Sequence, residues 1–91
     1  MLIRSQNKAI LLNFSNLTVA YIVKNDGGFV ILSLENENRY KLGKYSSEAK
    51  AMKVLDMIQE AYCKFMSVKN DDAWDGKESV FYMPENSEVE E

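Results

Sequence analysis

The hydrophobic periodicity of this chain changes once, near residue 45, and this change limits the folds that are open to it. Before that point the apolar residues come in short runs, such as "LTVAYIVK", "FVILSL" and "RYKLGKY", separated by polar turns. β-Branched and aromatic residues dominate these runs, which is typical of strands. After it, "SSEAKAMKVLDMIQEAYCKFM" repeats apolar residues at steps of three and four, as in an amphipathic helix. The sequence therefore predicts an α+β fold.

Tight turns are expected to join the strands into a meander. The clearest is "NDGG" at residues 25–28, because adjacent glycines supply the positive φ angles of a tight hairpin and Asn and Asp tolerate the same region. The polar breaks "QNK", "SN" and "ENEN" separate the other runs. We expect one antiparallel meander sheet of four to five short strands, with a last strand near Phe81.

Alternation divides the strand "RYKLGKY" into two faces. Tyr40 and Leu42 fall on one side, and Arg39 and Lys41 fall on the other, in water. Gly43 then marks either a bulge or the exit from the sheet.

One long C-terminal amphipathic helix is predicted to pack across the sheet and close the core. Ser46 or Ser47 can cap its first free amides, and Glu48 in the first turn complements the helix dipole. Its apolar stripe consists of Ala51, Val54, Leu55, Ile58, Ala61, Tyr62 and Phe65. Its charged residues, which are expected to form a solvated face, are Lys50, Lys53, Asp56, Glu60 and Lys64.

Length and charge distribution predict one domain followed by an acidic tail. A chain of 91 residues is long enough for one thin core. The net charge is −3, but four acidic residues follow Pro84, so residues 1–84, with 11 basic and 10 acidic side chains, have a net charge of +1. We expect a single α+β domain over residues 1–84. Residues 85–91, "ENSEVEE", have too little apolar surface to fold alone and are expected to be disordered.

Composition argues against several classes of function. The chain has no histidine, the side chain most often used for acid-base catalysis near neutral pH and a usual metal ligand. Its single cysteine, Cys63, cannot form an internal disulfide or build a thiolate metal site alone. No apolar run approaches the roughly 20 residues of a membrane span, and the start lacks a signal-peptide pattern. We expect a cytoplasmic protein that is not an enzyme and that binds no cofactor, metal or membrane.

Four segments carry a family resemblance. They are "IRSQ" at residues 3–6, "LGKYS" at residues 42–46, "AMKVLDMI" at residues 51–58 and "VFYMP" at residues 80–84. Together they resemble a family of small proteins, without an established function, from phages, prophages and genomes of low-GC Gram-positive bacteria. The resemblance implies a mobile-element origin. By analogy, small acidic phage proteins are often inhibitors of host defences, including anti-CRISPR proteins that bind a nuclease.

The loop "NDDAWDG" at residues 70–76 contains three aspartates, the only tryptophan and a glycine. An EF-type calcium loop starting at Asp71 would have Ala73 at position 3 and Tyr82 at position 12, where oxygen ligands are needed. A solvated turn is therefore favoured over a metal site. Trp74 either folds back over the core, which we favour in a thin domain, or stays exposed as an interface anchor.

A basic and aromatic cluster offers a nucleic-acid alternative. Arg39, Lys41 and Lys44 lie near Tyr40 and Tyr45 in sequence, and platforms for single strands combine these residue types. A nearly neutral body and an acidic tail oppose this interpretation, and solvation of one strand face already explains the basic residues. We expect no direct nucleic-acid binding.

The leading functional hypothesis is a non-enzymatic protein-interaction module of phage or mobile-element origin. It would inhibit a bacterial defence nuclease by steric or charge-mimicking occlusion, with a host or phage protein as its partner. A self-assembling structural or accessory phage protein, for example a homodimer, is the alternative. A small-molecule binder with a cavity lined by Tyr21, Tyr40 and Tyr62 is a third. The residues predicted to contact a partner are Asp71, Asp72, Trp74, Asp75, Glu85, Glu88, Glu90 and Glu91.

Overall fold

The computed structural model describes residues 1–76 and 79–90, which have an α+β fold. In this part of the chain five strands precede one long helix, α1 (Glu48–Val68), and a sixth strand follows it. The strands are β1 (Leu2–Arg4), β2 (Leu11–Asn13), β3 (Val19–Asn25), β4 (Gly28–Glu35), β5 (Asn38–Tyr45) and β6 (Val80–Tyr82). Short 3₁₀ helices lie at Phe14–Asn16 and Asn86–Glu88.

The strands form two sheets of three strands each, and the predicted single meander is only partly correct. β3, β4 and β5 are an antiparallel meander joined by hairpins, as the turn residues indicate. β1 pairs antiparallel with β2 and parallel with β6, so the second sheet has the order β2-β1-β6. Turn signals report only on neighbouring segments, whereas most of the chain separates β1 from β6. The expectation that β1 and β2 belong to the same sheet as β3, β4 and β5 is therefore wrong.

The core lies between α1 and the inner face of the β3-β4-β5 sheet. Ser47 caps the helix, because its side chain accepts a hydrogen bond from the Lys50 amide at 3.2 Å. Ala51, Val54 and Ile58 are the buried residues of the predicted stripe. The core cluster consists of Met1, Ile3, Leu12, Ile31, Leu42, Tyr45, Ala51, Val54, Ile58, Met83 and Val89.

Glycine is required at the end of the hairpin predicted at residues 25–28. Asn25 pairs with Gly28, so Asp26 and Gly27 form the two-residue loop. Gly28 has a φ of 142°, and a Cβ atom there would lie 2.5 Å from the carbonyl oxygen of Tyr45. Any other residue would strain the backbone and collide with β5.

Gln6 joins the two sheets just after β1. Its backbone N–H donates to the Leu42 carbonyl at 2.7 Å. Its side-chain Oε1 accepts from the Lys44 N–H at 2.9 Å, and its Nε2 donates to the Lys44 carbonyl at 3.2 Å. The side-chain amide thus takes the place of a neighbouring strand along this part of β5. As a result, this edge of β5 is covered by the chain itself.

Tyr45 is buried where the two sheets meet the C-terminal segment. It is 1% exposed, and its hydroxyl donates to the Pro84 carbonyl at 2.8 Å. The same carbonyl accepts from Gln6 Nε2 at 3.1 Å. Burial raises the pKa of the Tyr45 hydroxyl far above its usual value. The carboxylates of Glu85 and Glu88 raise this pKa further, because their negative charges disfavour a negatively charged tyrosinate nearby. Tyr45 is therefore a neutral hydrogen-bond donor across the physiological range.

The acidic tail is expected to be disordered, but its described residues, 85–90, pack against the start of α1. Val89 is 4% exposed and belongs to the core cluster. Lys50 Nζ donates to the Asn86 carbonyl at 3.1 Å, and Lys53 Nζ donates to the Glu90 carbonyl at 2.9 Å. One buried apolar side chain and two lysine contacts thus join residues 85–90 to the helix. The two lysines assigned to a solvated face are thus partly used to bind the tail.

Candidate interaction surface

Trp74 folds back onto α1 and packs against Phe65, near the end of the helix. The indole is half-buried and packs edge-on against the Phe65 ring of α1, with 5.6 Å between the ring centroids. Asp71 organises the loop below it, because its Oδ1 accepts from the Ala73 N–H at 2.9 Å and its carbonyl accepts from the Trp74 N–H at 3.0 Å. This is the local hydrogen bonding of an Asx turn.

The acidic residues of the predicted site lie at opposite ends of α1. The loop packs on Phe65 near the end of the helix, whereas the tail contacts Lys53 in its first half. These two helix positions are about 18 Å apart at 1.5 Å per residue. One group consists of Asp71, Asp72 and Asp75, and the other of Glu85, Glu88 and Glu90, all of them exposed. Glu91 lies outside the described residues. The acids do not come together as one surface.

Residues 1–76 and 79–90 contain no group of three or more cysteine and acidic side chains placed to hold a metal ion. A surface pocket beside Gln6 and Gly43 has a volume of about 80 Å³. Typical ligand pockets have volumes of roughly 300 Å³ or more. Tyr21, Tyr40 and Tyr62, the residues of the hypothetical ligand cavity, do not line this pocket.

The side of the β3-β4-β5 sheet that faces away from α1 carries a regular grid of side chains, which we call the outer face. Its nine positions, taken row by row from β3 to β5, are Val19, Leu34 and Arg39; Tyr21, Leu32 and Lys41; and Val23, Val30 and Lys44. Successive rows are about 7 Å apart and neighbouring strands about 4.8 Å apart. Each row therefore has two apolar side chains followed by a cation, and none of the nine residues is acidic.

The central strand β4 departs from the usual polarity of an antiparallel strand, because both of its faces carry apolar side chains. Antiparallel sheets with one wet face normally alternate apolar residues inward and polar residues outward. On the inner side of β4, Ser33 is fully buried, and its hydroxyl has no hydrogen-bond partner among the described residues. Val30, Leu32 and Leu34 lie on the outer face; Val30 is 6% exposed and therefore buried, although none of the three belongs to the core cluster. Apolar residues on both sides are typical of a sheet that is covered on both sides.

The outer face remains partly open to solvent. Val19 is 41% exposed and Val23 is 37% exposed, whereas Leu32 and Leu34 are half-buried. The one α-helix in the described part of the chain packs on the opposite side of the sheet. The two apolar columns lie beside a column of positive charge, and exposed apolar side chains grouped in this way make the outer face a candidate binding surface.

A β-bulge aligns the three cations. The register between β4 and β5 shifts by one residue between Ile31 and Leu32, which leaves Leu42 as the extra residue. Strict alternation would turn Lys44 toward the core. The bulge instead puts Lys44 on the outer face with the other two cations and turns Tyr45 inward, where it is buried.

Gly43 makes room for this arrangement. A Cβ atom at Gly43 would lie 3.0 Å from Tyr45 Oη and 3.1 Å from a carbon of the same ring. The prediction of a bulge or an exit at Gly43 is thus resolved in favour of the bulge.

Sequence reasoning identifies only part of the outer face. Alternation predicts Arg39 and Lys41 on the wet side and Tyr40 on the core side, and all three lie as predicted. The predicted site omits the apolar residues of β3 and β4. The signal for them is the unbroken apolar run "FVIL" ahead of Ser33, since a strand with one wet face should alternate.

Two of the aromatic residues on which the nucleic-acid hypothesis depends, Tyr40 and Tyr45, do not lie beside the basic residues. Tyr40 packs against the core, and Tyr45 is 1% exposed, so neither ring shares a face with the cations. Tyr21 is the one aromatic residue on the outer face. Base stacking along a strand needs a succession of exposed rings.

No protein-family model matches the chain, and no curated protein or solved structure is significantly similar to it. In the described part of the chain, no helix combines the length and the apolar character needed to span a membrane.

Proposed function

We propose that the chain is a non-enzymatic protein-interaction module and that it binds its partner through the outer face. The observation that carries the proposal is the apolar outer side of β3 and β4, where Val19 and Val23 are exposed and Leu32 and Leu34 are only half-buried. Moving apolar surface out of water contributes about 25 cal/mol per Å². A partner that covers this grid would supply the second layer that a sheet with two apolar faces needs.

Charge mimicry is the weaker form of this proposal. It needs the loop acids and the tail acids to act together, whereas about 18 Å of helix lies between the two contacts that position them. Steric occlusion of a defence nuclease needs no such patch and is compatible with the outer face. The family resemblance supports a host or phage protein as the partner.

A capture experiment with two matched double variants tests the proposal. Val19→Lys with Val23→Lys adds two charges to the outer face, and Met52→Lys with Met57→Lys adds the same charges to exposed positions of α1. The parent side chains are similarly exposed, at 41% and 37% against 50% and 37%. We expect a protein from a Gram-positive host lysate to be retained by wild type and by the helix variant, and lost by the outer-face variant.

Equal capture by all three proteins, or no specific capture at all, would contradict the proposal. Circular dichroism and urea denaturation first establish that both variants fold. If a captured protein proves to be a nuclease, its cleavage rate with and without the chain then tests occlusion directly.

Self-assembly is the second candidate, and the position of β3 favours it. β3 is a seven-residue strand at the edge of its sheet, where a second copy can add through main-chain hydrogen bonds. Light scattering over a range of concentrations tests it. A dimer whose population rises with concentration supports self-assembly, and a constant monomer mass rejects it.

A further inference from the structure

The occupant of the outer face can be inferred from its shape and charge. We infer that the outer face binds an amphipathic α-helix that has acidic residues along one flank of its apolar side. This inference rests on the proposed function and adds the chemical class of the partner.

The backbone of the sheet argues for a helix rather than an extended peptide. Strands β3, β4 and β5 already hydrogen-bond to one another, so the outer face offers side chains and no free main-chain groups. An extended peptide laid on it would bury its own N–H and C=O groups without partners. A helix satisfies these groups internally, and α1 already packs on the inner face of the same sheet in this way.

The dimensions of the grid fit one helix. From Val19 to Val23 the apolar columns extend for about 13 Å along the strands, which corresponds to about nine residues of helix. The β3 and β4 columns are about 4.8 Å apart, so a helix of about 10 Å diameter covers both.

The cations determine the polarity of the partner. Arg39, Lys41 and Lys44 form one column along β5, on one side of the two apolar columns. A helix lying over the apolar columns therefore has one flank next to three positive charges. Acidic residues on that flank give complementary charge, which increases association rate and selects against partners of the wrong sign.

The same charges disfavour a second copy of this chain. Two outer faces packed against each other would bring two columns of three cations, and no acid from the grid, into one interface. The chain's own acidic tail is held at the start of α1 by Val89 in the core and by the Lys53 contact with the Glu90 carbonyl. A separate acidic helix therefore fits best.

The test uses the full chain and three synthetic 15-residue peptides with blocked ends. The first has leucines on one helical face and glutamates on one flank, the second replaces those glutamates with lysines, and the third has the first composition in scrambled order. Fluorescence anisotropy gives each Kd, and amide chemical shifts of the labelled chain locate the contact.

We expect the glutamate peptide to bind about tenfold more tightly than the lysine peptide, consistent with a few exposed charge pairs, and the scrambled peptide not to bind. The shift changes should fall on β3, β4 and β5. Arg39→Glu with Lys41→Glu should weaken binding of the glutamate peptide about tenfold. The matched control, Lys24→Glu with Lys69→Glu, makes the same charge change at exposed positions outside the grid and should stay near wild type.

Several results would overturn the inference. If the lysine peptide binds equally well, the charge argument is wrong. If neither peptide binds while lysate capture still depends on Val19 and Val23, the acidic helix is rejected and the proposed function survives. If capture also fails, both are rejected. Binding through this face to phosphatidylserine vesicles or a single-stranded oligonucleotide, or an outer-face dimer in light scattering, would replace the acidic helix with that partner.

Discussion

The two faces of the β3-β4-β5 sheet are both rich in apolar side chains, yet only the inner face packs against α1. On the inner face, Ile31 is fully buried, and Ile22 and Phe29 pack against the core beside it. On the outer face, Leu32 and its neighbours border a column of cations and are partly in water. The buried polar residue of β4, Ser33, lies on the core side. The difference shows that the packing of α1, rather than the polarity of a strand face, decides which face becomes the core.

Alanine substitutions at two adjacent residues give the largest expected contrast between the faces. Ile31→Ala should lower the free energy of unfolding by about 3 kcal/mol, because it leaves a cavity in the core. Leu32→Ala should lower it by about 1 kcal/mol, because Leu32 is already partly in water. Urea denaturation of both variants measures the difference. Equal losses would mean that the chain itself covers the outer face.

Gly43→Ala tests the bulge that assigns Lys44 to the outer face. The added methyl group meets the Tyr45 ring at 3.0 to 3.3 Å, so we expect a loss of about 2 kcal/mol by overpacking. The same substitution in a Tyr45→Phe background should cause a smaller loss, since the Oη contact is gone. Thermal denaturation of the four proteins completes the cycle. An unchanged stability of Gly43→Ala would show that β5 tolerates other registers.

The buried hydroxyl of Tyr45, on the inner face, is expected to make the stability of the protein depend on pH. In the unfolded chain a tyrosine ionises near pH 10, whereas the raised pKa of Tyr45 keeps it protonated in the folded chain. Its contribution to stability is therefore fully present below pH 10 and is lost as the pH rises above 10.

Urea denaturation from pH 7 to 11 checks this dependence. Tyr45→Phe should lower stability by about 1 kcal/mol at pH 7, through loss of the Pro84 hydrogen bond, and should reduce the alkaline slope. Tyr21→Phe on the outer face is the matched control and should keep the wild-type slope. If the slope is the same in all three proteins, Tyr45 does not cause it.

Ser33→Ala is expected to have the smallest effect and the opposite sign. Its hydroxyl is buried without a hydrogen-bond partner in the described structure, so removing it should raise the free energy of unfolding by up to about 1 kcal/mol. Ser15→Ala, at an exposed position, is the control and should change little. A loss of stability in Ser33→Ala would reveal a partner for the hydroxyl.

Local patterns predict much of the fold. The β-branched runs, the "NDGG" hairpin and the cap at Ser47 all depend on residues within a few positions of one another, and each is present. The side assigned to Arg39 and Lys41 follows from strand alternation in the same way. These features could be predicted because their energies come from nearby groups.

Local sequence patterns predict less of the candidate surface than of the fold. Strand alternation predicts the wrong face for the residues of β5 after Leu42. The bulge adds one residue, so each later side chain points to the opposite face of the sheet. The apolar columns of β3 and β4 become a surface only because α1 packs on the other side. The acids were grouped by composition, and the helix between their contacts separates them.

Sequence alone specified an α+β chain of short strands and one amphipathic helix, since hydrophobic periodicity and turn residues act locally. Tertiary structure decided the division into two sheets, because β1 finds its parallel partner β6 near the other end of the chain. It also decided that residues 85–90 are held by Val89 and that α1 packs on the inner face of the sheet. These outcomes depend on contacts between distant segments, whose energies appear only when the chain is folded.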